Sequence, residues 1–283
     1  MKYGIIDIGT NTIRSVIYNE ALSPVAERVW ESTILRHTDN GRLTDEGISA
    51  LCDSLKASLE FFSENNTDKI LCFATSAMRD VCNFDEVNGA AKSKCGIEIE
   101  LLSEKEEAMS DFYSLKLQLG EDISGAGADL GGGSCQVLTF ENGRLVYYCS
   151  RKLGVKRLYN AFGELNREKE SSVREFIKKS IADLPVRESK VLYVMGGTSK
   201  KISKTAAGLF GAKTVTAGVL FDIIEEYYAA TPDYKALAGS EIYKIPYGAL
   251  VFQELCAYFG AQELAVMKGG VREGYAASRL AGA

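Results

Sequence analysis

The chain has 283 residues, of which 46% are hydrophobic and 25% are charged, so it has the length for two modest domains and too much apolar content for a disordered protein. Its formal net charge of −5 argues against general binding of nucleic acid. No apolar run is long enough to span a membrane, and the chain enters an apparent core strand without a signal region. We expect a cytoplasmic protein that binds neither nucleic acid nor membranes.

The cysteine and histidine content argues against several kinds of site. Seven cysteines are scattered along the chain and none forms a Cys-x-x-Cys pair, so reduced and mostly buried thiols are expected. His37 is the single histidine. It cannot form a histidine-rich metal site, and a Ser-His or Cys-His system would depend on this one residue. We interpret His37 as a packing residue on the surface or in a loop.

The first half of the chain predicts strands that alternate with helices. Apolar runs indicate strands at residues 2–8, 13–19, 24–35, 69–74 and 97–102. Apolar residues at helical spacing indicate helices that begin at Asp45, at Phe84 and after Ser103. Ser103 and Glu106 form a capping-box pattern, and this third helix is predicted to end near Leu119.

The pattern restarts after a polar, glycine-rich stretch at 120–127, which we interpret as the boundary between domains at 1–122 and 123–283. Strands are predicted at 127–130, 134–140, 144–151, 190–195 and 262–267. Helices are predicted at 155–163, 168–183, about 199–208, 216–229, 246–259 and from 271. Strands alternating with helices, together with the initial hairpins, predict two α/β domains with mixed sheets flanked by helices.

Two short segments repeat one pattern, and each opens one of the predicted domains. Asp7-Ile-Gly-Thr-Asn-Thr12 and Asp129-Leu-Gly-Gly-Gly-Ser134 both place an aspartate after an apolar run, then glycine, small residues and a hydroxyl. Glycine lets backbone N–H groups approach a ligand, which suits phosphate. The aspartate would repel bare phosphate, so we expect it to hold a divalent cation or a water. One copy could be a plain β-turn, whereas two copies indicate duplicated domains whose loops point into one cleft.

Six motifs in order resemble those of a known family. They are Asp7-Ile-Gly-Thr-Asn-Thr-Ile-Arg14, Ala74-Thr-Ser-Ala-Met-Arg79, Ser103-Glu-Lys-Glu-Glu-Ala108, Asp129-Leu-Gly-Gly-Gly-Ser134, Gly196-Gly-Thr198 and Gly270-Val-Arg-Glu-Gly274. Together they are similar to the motif series of the exopolyphosphatase and guanosine pentaphosphate phosphatase family, in its short two-domain form, and they span essentially the whole chain. The resemblance implies two ribonuclease-H-like (actin-like ATPase) domains with the active site in the cleft between them.

The resemblance also implies roles for individual residues. Glu107 would be the general base that orients or deprotonates the attacking water, and Asp129, with Asp7 more weakly, would hold Mg²⁺. Arg79 would clamp phosphate, because a guanidinium can hold two phosphate oxygens at once. Phosphate oxygens would be bound by backbone N–H groups and hydroxyls of Thr10, Asn11, Thr12, Gly131, Gly132, Gly133, Ser134, Gly197 and Thr198.

Each assignment has a plain structural alternative. Glu107 fits the ordinary preference for acids in a first helical turn, and Arg79 could form a salt bridge at a strand end. Arg14 and Arg272 are weaker phosphate candidates that could pair with nearby carboxylates. Lys200 could line a polyanion track, although a solvated lysine at a helix start is the favoured interpretation.

Departures from the family pattern bear on activity. The family usually has glutamate at Gln136, where the charge would support the metal, and glycine at Glu104; the segment 241–248 lacks an expected arginine. The leading hypothesis is hydrolysis of terminal phosphate from inorganic polyphosphate or guanosine pentaphosphate. The alternatives are a polyphosphate- or nucleotide-binding sensor with weak catalysis, and a small-molecule kinase of the same superfamily. The oligomeric state is left open between a monomer and a homodimer.

Overall fold

The structure is a computed structural model, and it describes residues 1–280 apart from 11, 33, 186–187 and 240–241. The chain divides into two compact units. The first unit comprises Met1–Glu107 and the chain end from Ala276, and the second unit comprises Ala108–Tyr275. No helix within the described ranges is long and apolar enough to cross a membrane.

The first unit is built around a mixed β-sheet. Its elements are β1 (Tyr3–Ile8), β2 (Thr12–Tyr18), β3 (Pro24–Glu31), β4 (Thr38–Asp39), β5 (Arg42–Leu43), α1 (Asp45–Glu64), β6 (Lys69–Ala74), α2 (Ser76–Arg79), α3 (Phe84–Cys95), β7 (Glu100–Leu101) and the start of α4 (Glu104–Leu119). The sheet order is β3-β2-β1-β6-β7, with β1 antiparallel to β2 and parallel to β6. Ile48, Leu51 and Leu55 recur at helical spacing on α1 and are buried in one core with Ile6 and Ile13 of the sheet.

The second unit repeats this design with one more strand in its main sheet. Its elements are β8 (Gly125–Leu130), β9 (Cys135–Glu141), β10 (Arg144–Arg151), α5 (Val155–Phe162), α6 (Arg167–Ile181), β11 (Val191–Met195), α7 (Gly196–Phe210), β12 (Val215–Thr216), α8 (Ala217–Ala229), α9 (Pro232–Ala238), α10 (Lys244–Phe259), β13 (Glu263–Val266) and α11 (Val271–Leu280), which continues into the first unit. The sheet order is β10-β9-β8-β11-β13-β12, with β8 antiparallel to β9 and parallel to β11. The predicted fold class, α/β with mixed sheets flanked by helices in both halves, is confirmed. The predicted cleft between the domains stays a prediction.

The two opening hairpins share one register. Asp7 lies opposite Arg14 in the β1–β2 pair, and Asp129 lies opposite Gln136 in the β8–β9 pair. The last pairs before the loops are Ile8 with Ile13 and Leu130 with Cys135. The repeated sequence therefore produces the same strand, turn and strand in each unit.

The division between the units differs from the predicted boundary at 122. It falls inside α4, directly after Glu107. Ala108 and Phe112 of this helix are buried in a core with Phe140 and Met267 of the second unit, which draws most of α4 into that unit. Residues 120–124 connect α4 to β8, and the predicted domain boundary at 122 stays a prediction.

The other differences between predicted and observed elements concern the ends of elements and short helices. The strand predicted at 24–35 ends at Glu31, and Ile34–His37 forms a 3-10 helix. The strand predicted at 97–102 is reduced to Glu100–Leu101. Helix α7 starts at Gly196, earlier than predicted and directly after β11. The short helices α2 and α9 were not predicted, because helices of four to seven residues carry too few apolar positions to show a period.

Candidate active site

The first glycine loop connects β1 to β2 and is closed by a turn hydrogen bond. Gly9 N–H donates to Thr12 O at 3.0 Å. Asp7, on β1 just before the turn, is half-buried, as is Thr10 within it. Asn11, the remaining predicted ligand of this loop, lies outside the described residues. The turn therefore gathers one carboxylate and two hydroxyl groups at one end of β1.

Arg79 and Glu107, the two predicted catalytic residues, form an ion pair in the first unit. Arg79 ends α2, which follows β6, and Glu107 lies in the first turn of α4. Arg79 Nη1 lies 2.7 Å from Glu107 Oε2, and the side chains are only 18% and 9% exposed. Nη1 also donates to Leu102 O at 2.8 Å. The salt bridge that was the alternative interpretation of Arg79 is present, and it fixes the carboxylate of Glu107.

The start of α4 explains why Glu107 turns inward. Ser103 N–H and Oγ donate to Glu106 Oε2 at 2.9 and 2.7 Å, and Glu106 N–H donates to Ser103 Oγ at 3.2 Å, as the capping-box pattern predicts. The hydrogen bonds from Ser103, hydroxyl first, lower the pKa of Glu106. Glu104 and Glu106 are exposed, whereas Glu107 is buried. Of the three glutamates in this turn, Glu107 is the one whose carboxylate is buried.

The second glycine loop connects β8 to β9 by the same type of turn. Gly131 N–H donates to Ser134 O at 3.0 Å, so this N–H is used within the turn. Gly133 and Ser134 are buried, whereas Gly131 is exposed. On its carbonyl side the loop packs against the first turn of α5.

Asp129 lies against two points where the chain has no side chain. A Cβ atom at Gly196 would overlap Asp129 Oδ1, and one at Gly270 would lie 3.5 Å from Oδ2. Gly196 also has a φ of +88°, which residues with a side chain rarely adopt. The two glycines lie at the starts of α7 and α11, and helix N-termini attract negative charge. Both glycines therefore leave room for the carboxylate of Asp129 beside positive helix ends.

Gln136 gives the second loop different hydrogen bonding from the glutamate that is usual in the family. Its Nε2 donates to Ser134 Oγ at 3.0 Å and to Ser150 Oγ at 3.4 Å, and the side chain is 2% exposed. Because Ser134 Oγ accepts this bond, its own proton can be donated elsewhere. A glutamate at this position would instead accept the proton of Ser134. The glutamine thus alters both the charge and the donor direction at the loop.

Gly197 and Thr198 lie in the first turn of α7, whose N–H groups have no acceptor within their own helix. Met195, at the N-cap position, has no side-chain oxygen with which to cap them. Met195 pairs with Asp129 across the parallel strands β11 and β8. The start of α7 therefore lies at the same sheet edge as Asp129.

The weaker candidates have structural partners. Arg14 pairs with Glu27 of the neighbouring strand β3. Lys200 Nζ donates to Lys268 O at 2.6 Å. His37 is half-buried at the end of the 3-10 helix, which agrees with its interpretation as a packing residue.

Sequence reasoning missed two polar residues near these motifs. Arg157, in the first turn of α5, donates Nε to Gly133 O at 2.9 Å. Asp111 is fully buried on α4, one turn after Glu107. The sequence could have indicated Asp111, because it follows Glu107 by four residues and residues at that spacing share a helix face. The contact of Arg157 had no local signal, because its partner lies in another element.

The fold and these two loops define the class of the protein. A model of the Ppx/GppA phosphatase family matches residues 22–282, which is nearly the whole chain. The chain therefore belongs to the Ppx/GppA phosphatase family, and the family resemblance of its motifs is confirmed.

Curated relatives include two mycobacterial proteins. The chain is 23% identical over 229 residues to exopolyphosphatase 1 of Mycobacterium tuberculosis, a match that covers 77% of this chain and 66% of that protein. It is 27% identical over 264 residues to exopolyphosphatase 2 of the same species, a match that covers 86% of this chain and 78% of that protein. The match to the first relative thus spans slightly less than two thirds of its length.

Solved structures show the same fold. A Ppx/GppA family member from Aquifex aeolicus has a TM-score of 0.84 at 20% identity, with 100% of this chain and 98% of that chain covered. An exopolyphosphatase from Cytophaga hutchinsonii has a TM-score of 0.85 at 17% identity, with the same coverage. At these identities the likeness concerns the fold.

Proposed function

We propose that the chain is an exopolyphosphatase that uses Mg²⁺ and water to release terminal phosphate from inorganic polyphosphate or guanosine pentaphosphate. The observation that carries this proposal is the buried carboxylate of Glu107, fixed by Arg79 at 2.7 Å in the first turn of α4. A general base must be held at a fixed position to orient and deprotonate water, and this ion pair supplies that restraint.

Phosphate binding is assigned to the second loop and the start of α7. N–H groups of the loop and of Gly197 and Thr198 supply donors for phosphate oxygens, and the hydroxyl of Ser134 adds another. Phosphoryl transfer depends mainly on positioning and on neutralising charge, so fixed backbone donors suit it. The contacts of Arg79 with Glu107 and with Leu102 O both use Nη1, and we assign Nη2 and Nε to phosphate.

The donor chemistry fits Mg²⁺. Within the described ranges no group of three or more His, Cys, Asp or Glu side chains could hold a metal ion alone. Mg²⁺ does not need such a cage, because it is usually bound by one or two carboxylates together with phosphate oxygens and water. We assign Asp129, with Asp7 as the weaker candidate, as its protein ligands. The bound ion would offset the charge of the phosphate oxygens.

The decisive experiment compares phosphate release by the wild type and by Glu107→Gln. The substrates are medium-chain polyphosphate and guanosine pentaphosphate, each with Mg²⁺. Loss of a general base lowers kcat by about 10²- to 10⁴-fold, while KM changes little if binding is retained. Equal release by the two proteins would remove Glu107 from the mechanism. The ratio of kcat/KM for the two substrates identifies which one the chain prefers.

Gln136 supports a second candidate, a polyphosphate-binding protein with weak catalysis. It places a neutral amide beside the loop, which offers less support for a metal ion than a carboxylate. This candidate predicts tight binding of tripolyphosphate by the wild type without turnover. Phosphate release by the wild type at a rate that Gln136→Glu does not raise would favour the enzyme over the sensor.

A further inference from the structure

The second glycine loop is held from one side by α5. Gly131 O accepts a hydrogen bond from the N–H of Val155 at 3.1 Å. Gly132 O accepts two hydrogen bonds, from the N–H groups of Lys156 and Arg157 at 3.0 and 3.1 Å. Three consecutive N–H groups in the first turn of α5, which lack partners within their own helix, are thus satisfied by the loop.

One side chain continues this series. Gly133 O accepts from Arg157 Nε at 2.9 Å. The carbonyl groups of Gly131, Gly132 and Gly133 therefore all point toward α5. The helix backbone holds the first two, and the third is held by the guanidinium of Arg157.

The loop and the start of α5 are closely packed. A Cβ atom at Gly154, directly before α5, would overlap Gly132 O and the carbonyl carbon of Gly133. Gly154 is buried, and it lets the loop backbone lie directly on the helix start. A shift of either element would therefore break several hydrogen bonds together.

The direction of the carbonyl groups determines the direction of the N–H groups. In a trans peptide, the C=O of one residue and the N–H of the next point in opposite directions, and the described chain has no cis peptide bond. The N–H groups of Gly132, Gly133 and Ser134 therefore point away from α5, to one common side. Successive N–H groups with this arrangement form a concave site for an anion.

We propose that Arg157 is a positioning residue of the phosphate site: its guanidinium fixes the peptide between Gly133 and Ser134, so that the N–H of Ser134 joins those of Gly132 and Gly133 in binding a terminal phosphate group. This inference rests on the proposed function for the identity of the ligand. The assigned role is exerted through the hydrogen bond from Nε to the loop carbonyl, so Arg157 is described as a positioning residue and not as a catalytic one. Without it, the peptide at this glycine can rotate, because glycine tolerates both orientations.

The test uses the full chain, labelled with ¹⁵N-glycine, in a Glu107→Gln background that prevents hydrolysis. The probe is inorganic tripolyphosphate with Mg²⁺. In this parent, titration is expected to shift the N–H resonances of Gly132 and Gly133. Adding Arg157→Gln should weaken binding about tenfold, since one phosphate donor and the order of the loop are lost. Adding Arg157→Lys, which keeps a charged donor, should stay within about threefold of the parent.

Arg167→Gln is the matched control. Arg167 lies on α6 of the same unit and pairs with Glu225 through two hydrogen bonds at 3.0 and 2.7 Å, away from the glycine loop. Its replacement should leave tripolyphosphate binding unchanged. Thermal melts of all variants check that the fold is retained. If the Gln variant is unstable, binding that is more than about threefold weaker in the Lys variant than in the parent would overturn the role.

A further readout needs no ligand. Arg157→Gln should increase the backbone mobility of Gly133 on the picosecond to nanosecond timescale, measured by ¹⁵N relaxation, while Arg167→Gln should not. Parent-like binding and mobility in Arg157→Gln would overturn the positioning role, and so would equal losses in the Lys and Gln variants. If the wild type releases no phosphate and the parent binds no tripolyphosphate, the proposed function fails, and the mobility of Gly133 still decides the role of Arg157.

Discussion

The two glycine loops are the same hairpin in different surroundings. In both, the N–H of the glycine after Asp-apolar donates to the backbone carbonyl of the hydroxyl residue at the end of the turn, at 3.0 Å. The strand pairs on either side have equal register. The second loop adjoins the starts of α5, α7 and α11, whereas β1, which leads into the first loop, ends beside the start of the four-residue helix α2.

The local sequence pattern specifies the turn but not the chemical groups around it. Arg14, opposite Asp7, pairs with Glu27 on the adjacent strand. Gln136, opposite Asp129, instead donates to the hydroxyl of its own loop. Helix starts supply positive potential and backbone donors, and they are found around Asp129. We therefore expect the second loop to contribute more to phosphate binding than the first.

Among tests that compare the two loops, the largest effect is expected from neutralising the two aspartates separately. Asp129→Asn should lower kcat/KM for polyphosphate by about 100-fold, because the proposed metal ligand is lost. Asp7→Asn should lower kcat/KM by a smaller factor, about tenfold, if Asp7 is the weaker ligand. The measurement is phosphate release over a range of Mg²⁺ concentrations, and the Asp129 deficit should shrink at high Mg²⁺. A larger loss from Asp7→Asn would reverse the comparison between the loops.

The next effect tests the space around Asp129. Gly196→Ala combines a φ of +88° with overlap between the new Cβ and Asp129 Oδ1, so it should reduce the free energy of unfolding by about 2–3 kcal/mol and impair catalysis. Gly211→Ala is the matched control, because its φ is +62° and nothing lies within 4 Å of its Cβ position. Gly211→Ala should reduce the free energy of unfolding by about 1 kcal/mol and leave kcat unchanged. Urea unfolding and phosphate release measure both. Equal kcat in the two variants would show that the carboxylate tolerates displacement.

Local sequence was sufficient for most of the fold. Both hairpins were predicted because their strands have apolar runs and their turns have glycine, and these features act between close neighbours. The capping box of Ser103 and Glu106 was predicted because its partners are three residues apart. The same local rule placed Glu107 in the first turn of α4.

Contacts between distant residues were not predictable in this way. The unit division inside α4 depends on Phe112 packing with Phe140 and Met267, and no local signal reports that. The contact of Arg157 with Gly133 joins residues 24 positions apart, and the ion pair of Arg79 with Glu107 links two separate helices. The family motifs identified Arg79 and Glu107, but the bond between them came from the structure.

A smaller effect is expected from weakening the start of α4, which should change the free energy of unfolding more than kcat. Ser103→Ala removes the cap of α4 and should reduce the free energy of unfolding by about 1 kcal/mol, with less effect on kcat than either aspartate change. The deficit should depend on pH. Hydrogen bonds from Ser103 hold the pKa of Glu106 below its ordinary value of 4.5, so their stabilisation is present above that value and is lost as the pH falls through the lowered pKa. Urea unfolding from neutral pH downward should show the wild type and Ser103→Ala converging in acid. A constant difference would mean that the charge of Glu106 does not contribute.

The smallest effect uses two buried thiols as reporters, one beside each loop. Burial, and then the charge of Asp7, raises the pKa of Cys72, while burial, and then the charge of Asp129, raises the pKa of Cys135. Both should stay protonated and unreactive in the folded protein, whereas Cys82 is exposed.

Iodoacetamide should therefore label Cys82 first, and labelling followed by mass spectrometry in rising urea should report when each loop opens. Since helix starts surround the second loop, Cys135 is expected to stay protected to higher urea than Cys72. Simultaneous labelling of the two would indicate that both units unfold in one cooperative step, and the difference between the loops would then concern ligand binding alone.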